Sequence, residues 1–236
     1  MKIALIGFGK MGQAIAELLP EFGHEIHSTY SQKNLLTREK LAGADIAIEF
    51  SLPDLCVEHI NICFEANIPV IVGTTGWYEQ YPKVISNMNS NHALLCATNF
   101  SIGVQALFHI NRELARILNK FGGYEVSIEE IHHTAKLDKP SGTAITLAEG
   151  VIHEMPQYAS WKLHPRSEQS NDLMIQALRE PEVPGTHEVS FKSAIDTLKI
   201  LHVAHSRKGF ATGAIRAAEF LYNKKGVFTM SDVLNS

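Results

Sequence analysis

"KIALIGFGKMG", residues 2–12, decides the fold of this chain. A short apolar run ends in glycine, and Gly7, Gly9 and Gly12 follow in the G-x-G-x-x-G pattern. An unbroken apolar run reads as a buried parallel strand, covered on both faces. Met11, Ile15, Leu18 and Leu19 then recur at helical spacing until Pro20 stops the helix. A glycine loop between a strand and a helix is the dinucleotide-binding arrangement. Gly7 permits the tight turn, Gly9 lets backbone approach a pyrophosphate, and Gly12 lets helix pack on strand. The helix start supplies aligned N–H groups for the phosphates. Phe8, Lys10 and Met11 share the loop, and Lys10 adds a cation. A turn serving packing alone would not need this placement.

Outward from that stretch the rhythm repeats. Residues 24–30, 44–51, 68–76 and 92–100 read as four more strands, with helices expected over 53–67 and 78–89. Five strands joined by crossover helices imply a Rossmann-type doubly wound parallel sheet, an α/β fold. Near residue 100 the pattern changes. A helix over 103–119 carries Val104, Leu107, Phe108, Leu114, Ile117 and Leu118 as its apolar stripe. Tyr124, Val126 and Ile128 then alternate strictly, the mark of a sheet covered on one face. A helix over 142–154, a polar irregular stretch over 155–184 and two alternating strands follow, then a helix over 208–226 and a short tail. A second α+β domain with a mixed open sheet is expected over 102–207. Residues 1–101 and 208–236 are expected to form the dinucleotide-binding domain, because a lone C-terminal helix needs a face to cover.

Composition excludes several classes. The 236 residues are 45% hydrophobic and 19% charged, an ordinary globular balance. A net charge of -4 gives no electrostatic case for nucleic acid. The three cysteines, Cys56, Cys63 and Cys96, show no C-x-x-C spacing, so they read as buried thiols in a reducing cytosol. No apolar run approaches the roughly 20 residues of a membrane span, and the N-terminal run is too short for a signal peptide. A cytoplasmic protein is expected.

Cofactor choice turns on the second strand's end. His27 to Lys33 hold no carboxylate to bind ribose hydroxyls, and Lys33 with its hydroxyl neighbours suits a 2′-phosphate. NADPH is therefore favoured slightly, with NADH open; a solvated loop lysine is the plain alternative. Gly73, Thr74 and Thr75 end the fourth strand, and Ala97, Thr98, Asn99 and Phe100 the fifth. Ligands on open parallel sheets bind at that edge, so these residues are candidates to line the cofactor.

The second domain carries "EEIHHTAKLDKPSGTAITLAEG", residues 129–150. A metal site at His132 and His133 is disfavoured, because adjacent strand residues face opposite sides and no third ligand stands close in sequence. A core or surface histidine pair is a plain alternative. The catalytic reading uses imidazole as a proton carrier and Lys136 as a charge or proton donor. Ser141, Gly142 and Thr143 open a helix with a hydroxyl cap and free N–H groups, a seat for a carboxylate. A lysine and an anion-binding helix start beside two histidines describe a pocket for a small acid.

That stretch resembles the signature of the dihydrodipicolinate reductases of lysine and diaminopimelate synthesis, E-x-H-H-x-x-K-x-D-x-P-S-G-T-A, which is long and specific. "GFGKMG", "VGTTG", "ATNFSIGV" and "SRKGFATGAIRAAEFL" follow the family's order, so the resemblance spans essentially the whole chain. Lys139 stands where alanine is common, and 155–184 has no usable match. The resemblance implies an NAD(P)H-binding first domain and a second domain that binds substrate and builds a homotetramer. It implies His132 as proton donor and acceptor and Lys136 as a second donor. His133, Lys136, Gly142 and Thr143 would hold a small cyclic dicarboxylate, with no metal. It also implies that Arg207, beside Phe210 at the return to the first domain, lies near the cofactor; a hinge residue capping a helix is the alternative. Two rival readings remain from the residues alone. One is a non-catalytic dinucleotide sensor, which has no need of the His-His-x-x-Lys stretch. The other is a hydride transferase for a different small amino or keto acid.

Overall fold

The computed structural model describes residues 1–165, 171–206 and 208–236. In chain order the elements begin β1 (Lys2–Ile6), α1 (Lys10–Leu18), β2 (Glu25–Tyr30), β3 (Ile46–Glu49), α2 (Pro53–Glu65), β4 (Val70–Val72), α3 (Tyr81–Ser86) and β5 (Ala93–Cys96). They continue α4 (Ile102–Asn119), β6 (Glu125–His132), α5 (Gly142–Glu154), β7 (Ser160–Leu163), β8 (Asp172–Arg179), β9 (Thr186–Lys192) and β10 (Thr197–Val203). The last are α6 (Lys208–Leu221), β11 (Gly226–Phe228) and α7 (Met230–Leu234). Two compact units result: Met1–Ile102 with Arg207–Ser236, and Gly103–Ser206.

The first unit is a parallel six-stranded sheet in the order β11-β5-β4-β3-β1-β2. Strand alternation sends Ile3 and Leu5 into one core with α1 and α6, and Ala4 and Ile6 into another with α2. Both faces are dry, which is why the strand sequences carry no polar alternation. Helix α6 lies close to the sheet because its inner face is small. Ala211, Ala214, Ala217 and Ala218 are fully buried beside Ile215 and Leu221, and a Cβ at Gly213 would overlap the Phe100 carbonyl.

The second unit is a mixed sheet in the order β10-β9-β6-β8-β7. Strand β6 runs antiparallel to β9 and parallel to β8, and β7 is parallel to β8. Val126, Ile128, Leu173, Ile175, Val189 and Phe191 form one apolar face under α4 and α5. The opposite face carries Glu129, Glu188, Leu201 and Val203, with Leu201 58% exposed. No helix among the described residues is long and apolar enough to cross a membrane.

Three expectations are corrected. The stretch over 155–184 is not irregular: it contains β7 and β8. β7 pairs in parallel with β8, and β8 with β6, so no hairpin turn announces them in sequence. The tail after α6 contains β11, a sixth strand beside β5, so the sheet is one strand wider than its five sequence-legible strands. On α4, Ile117 faces outward at 40% exposed, while Asn111 and Ala115 hold the inward positions between Leu107 and Leu118. Asn111 is tolerated there because its amide donates to the Leu147 carbonyl at 3.0 Å.

Because Leu221 is fully buried at the end of α6, Leu221→Ala should cost about 2–5 kcal/mol. Urea unfolding measures this, and a loss under about 1 kcal/mol would remove α6 from the core.

Candidate functional site

The glycine turn sits between β1 and β3, where strand order reverses, the place where open α/β sheets bind ligands. Gly7 has φ +91°, and a Cβ there would overlap the Phe50 carbonyl at the end of β3. A Cβ at Gly12 would overlap the Gly7 carbonyl, so the helix seats on the turn only without one. Gly9, by contrast, meets nothing within 4 Å and presents open backbone at the start of α1. A cavity of about 570 Å³ opens here, lined by Gly7, Phe8, Gly9, Ser31, Gln32, Lys33, Ser51 and His59, among others. The turn and Lys33 thus share one cavity of a size suited to part of a nucleotide.

The other cofactor candidates fall elsewhere. Lys10 is exposed and Met11 half-buried on α1. Gly73 packs against the Phe50 ring, and the buried Thr74 hydroxyl accepts from Ser51 N–H at 2.8 Å. Thr75 and Thr98 are exposed, and Ala97 is half-buried. Asn99 is buried, its Oδ1 accepting from Ser101 N–H at 2.9 Å. Phe100 is a core residue, with its ring 5.7 Å from that of Phe50. Its side chain is committed to packing and not to a ligand. Arg207 lies outside the described residues.

Sequence reasoning passed over a buried carboxylate under this cavity. Glu49 ends β3 fully buried, accepting from the Ser51 hydroxyl, from Ser51 N–H at 3.1 Å and from Cys56 Sγ at 3.5 Å. The Nδ1 atom of His59 lies 3.1 Å from the Ser51 hydroxyl and 3.4 Å from Glu49.

In the second unit, β6 sends Val126, Ile128, Glu130 and His132 inward by simple alternation. Glu130 is fully buried, and Ser141 N–H donates to both its oxygens at 3.0 and 3.1 Å. The Arg179 guanidinium lies 3.4 Å from Oε1. It also donates to the Asp138 carbonyl at 2.6 Å and, more weakly, to that of Lys136 at 3.4 Å. Lys136 pairs with Asp138 at 2.8 Å. Ser141 caps α5 by accepting from Ala144 N–H at 3.2 Å, leaving Gly142 exposed and Thr143 half-buried at the helix start.

His132 and His133 do part company: His132 is buried and His133 half-buried. The ring that meets His132 is that of His187 on β9, edge to face at 5.0 Å. His132 Nδ1 stands 3.4 Å from Glu130, and His187 Nε2 stands 3.8 Å from Glu130 and 3.2 Å from the Ser141 hydroxyl. Burial pushes the His132 ring down to about 4, against the pull of Glu130 and with the push of Lys136 and Arg179. Burial likewise takes His187 down to about 3, helped by His132, His202 and Lys136. Donor atoms of Glu130, His132 and His187 lie within 4.8 Å of one another, a grouping not anticipated from the two adjacent histidines. The carboxylate, however, is already engaged by Ser141 N–H at both oxygens and by Arg179 at Oε1. Ser141 and Arg179, not a metal, answer the Glu130 charge here, while His132 Nδ1 and His187 Nδ1 make no hydrogen bond among the described residues.

Glu130, Arg179 and His187 were absent from the sequence-based site. Glu130 was readable, two positions before His132 and so on the same face. Arg179 and His187 arrive from other strands, one of them unrecognised in the sequence.

Both rings are held neutral, so between pH 6.5 and about 4 the unfolded chain binds more protons than the folded one. Stability is full above 6.5 and falls with pH through that window, by on the order of 1–3 kcal/mol per ring. His187→Asn should flatten the slope between pH 5 and 6.5 in urea titrations; an unchanged slope would show His187 to be solvated.

Comparison with known proteins places this geometry in context. Residues 1–100 match the family model "Dihydrodipicolinate reductase, N-terminus" and residues 103–234 match "Dihydrodipicolinate reductase, C-terminus". The 4-hydroxy-tetrahydrodipicolinate reductase of Christiangramia forsetii is 43% identical, covering 100% of this chain and 98% of that protein. That of Staphylococcus carnosus is 33% identical, covering all of both chains. The dipicolinate-bound dihydrodipicolinate reductase of Paenisporosarcina shares the fold at TM-score 0.80, 22% identity and 97% coverage of each chain.

Proposed function

The chain belongs to the dihydrodipicolinate reductase family and is a nicotinamide-dependent oxidoreductase, and on that premise we propose how its residues divide the reduction. The observation that carries the reading is that His132 and the Ser141-capped helix start meet one buried carboxylate, Glu130, whose partner Arg179 also holds the loop of Lys136. In the first unit, the open backbone at Gly9 and the cavity beside Lys33 fit the phosphates and adenosine end of a nicotinamide dinucleotide. Gly7, Phe8, Gly9 and Lys33 would hold it; Lys10, Met11, Gly12, Gly73–Thr75 and Ala97–Phe100 would support it through backbone or packing. When bound, the dinucleotide supplies the hydride.

The second unit supplies the rest. The substrate is a small cyclic dicarboxylate, 4-hydroxy-tetrahydrodipicolinate or its dehydrated form, on the pathway to lysine and diaminopimelate. The start of α5 at Gly142, with the Ser141 cap and Thr143 beside it, seats one carboxylate, and the helix dipole favours its charge. His133 and Lys136 hold the anion from the other side. His132 gives the proton that completes the reduction, and Lys136 is the second donor. From the dehydrated ring the net change is one hydride and one proton added; from the hydroxylated ring the 4-hydroxyl also leaves as water.

A homotetramer is supported by the uncovered sheet face that carries Leu201 and Val203. A cytosolic setting is supported by three free cysteines whose thiols burial keeps protonated. The assay follows loss of NADPH absorbance with enzymatically generated substrate.

His132→Gln should lower kcat by about 10²-fold or more with cofactor affinity little changed. Lys136→Ala should reduce kcat and raise KM together, since it removes a donor and a charge. Full turnover by the His132 variant would take that residue out of the chemistry, and a change in cofactor binding alone at Lys136 would move it out of the substrate pocket.

Lys33 favours a 2′-phosphate, so kcat/KM should be modestly higher with NADPH than with NADH, and Lys33→Ala should erase the difference. A strong NADH preference in the unaltered enzyme would overturn the role given to Lys33.

A further inference from the structure

His132 poses a problem for the proposed chemistry. A proton donor has to carry its proton, yet this ring is buried and held neutral. The charges that act on it come from three elements. Glu130 lies on its own strand, Lys136 and Asp138 on the following loop, and Arg179 on β8. His187 faces it from β9, with His202 of β10 behind. Among the described residues these are two carboxylates and two cations, already paired as Glu130 with Arg179 and Lys136 with Asp138. The site is charge-balanced before any ligand arrives. A dicarboxylate brings two negative charges for which these residues hold no spare counter-charge.

The ring's own geometry says where compensation comes from. His132 Nδ1 is a buried ring nitrogen without a hydrogen-bond partner, 3.4 Å from a Glu130 oxygen but not in line with it. The opposite edge faces Gly185, where a side chain would crowd it: an added Cβ would lie 3.2 Å from Nε2. A small rotation closes the Nδ1–carboxylate bond. Glu130 itself cannot drift, being tied to Ser141 N–H through both oxygens. We propose that Glu130 is the positioning residue of this enzyme: it orients His132 through Nδ1 and holds the imidazolium that forms when a dicarboxylate binds, so that substrate binding itself loads the proton donor. Arg179 balances Glu130 until then and anchors the Lys136 loop through the Asp138 carbonyl.

The inference rests on the proposed site. It is tested by calorimetry of cofactor-saturated enzyme titrated with pyridine-2,6-dicarboxylate at neutral pH. Two buffers of different ionisation enthalpy then give the number of protons taken up. The unaltered enzyme should take up about one proton per site, and Glu130→Gln and His132→Gln close to none. Glu130→Gln should also lose about 10-fold or more in kcat, with a smaller change in KM and a shifted pH profile. Glu130→Asp, which keeps the charge, should recover part of both. The inference fails if the unaltered enzyme binds the dicarboxylate without proton uptake, or if Glu130→Gln or His132→Gln takes up as many protons as it does. It fails too if both Glu130 variants lose cofactor binding and thermal stability together, which would make the carboxylate purely structural. Absence of any dicarboxylate binding by the unaltered enzyme would bring down the substrate site itself along with this inference.

Discussion

A carboxylate with no exposed surface organises the second unit. Glu130 is charged only if the energy of leaving water is recovered locally, and a buried unpaired charge costs several kcal/mol. The compensation is specific. The Ser141 amide and the Arg179 guanidinium supply it, and each belongs to a different part of the site. Ser141 is the cap of α5, so satisfying Glu130 fixes the helix start. Arg179 reaches the Asp138 carbonyl, so the same requirement fixes the loop that carries Lys136. One buried charge thus ties together the α5 start and the Lys136 loop, through an arginine 49 residues away in the chain.

The first unit repeats the logic. Glu49 is a fully buried carboxylate at the end of β3, answered by Ser51, Cys56 and the His59 ring. Its neighbour Phe50 presents the carbonyl that no side chain at Gly7 could pass. The glycine turn is therefore shaped from below by the strand beside it as much as by its own sequence. Backbone packs tightly at Gly7 on one edge of the turn and stands open at Gly9 on the other.

Legibility followed the range of the interactions. The strand–turn–helix opening, the parallel rhythm and the alternation of β6 are local patterns, and each could be read residue by residue. The helix over 142–154 was marked by its Ser141 cap and was legible for the same reason. Strands β7 and β8 pair with each other in parallel, β8 with β6 and β11 with β5, all without a hairpin. No turn residue marks such a pairing, so the polar stretch over 155–184 concealed two strands. Ile117 was assigned to the apolar face of α4 on hydrophobicity, while the inward position went to Asn111, whose amide found a carbonyl on α5.

The family signature and the identities of His132, Lys136 and Ser141 are properties of the sequence itself. Covalent order and residue type suffice for them, because strand alternation and helix capping act over a few residues. What only the tertiary structure decided is who stands beside whom. His132 meets His187 and not His133, Phe100 is spent in the core, and Glu130 is enclosed by residues from three segments of the chain. Those neighbours set the protonation of the imidazole through burial and through charges that no local pattern encodes.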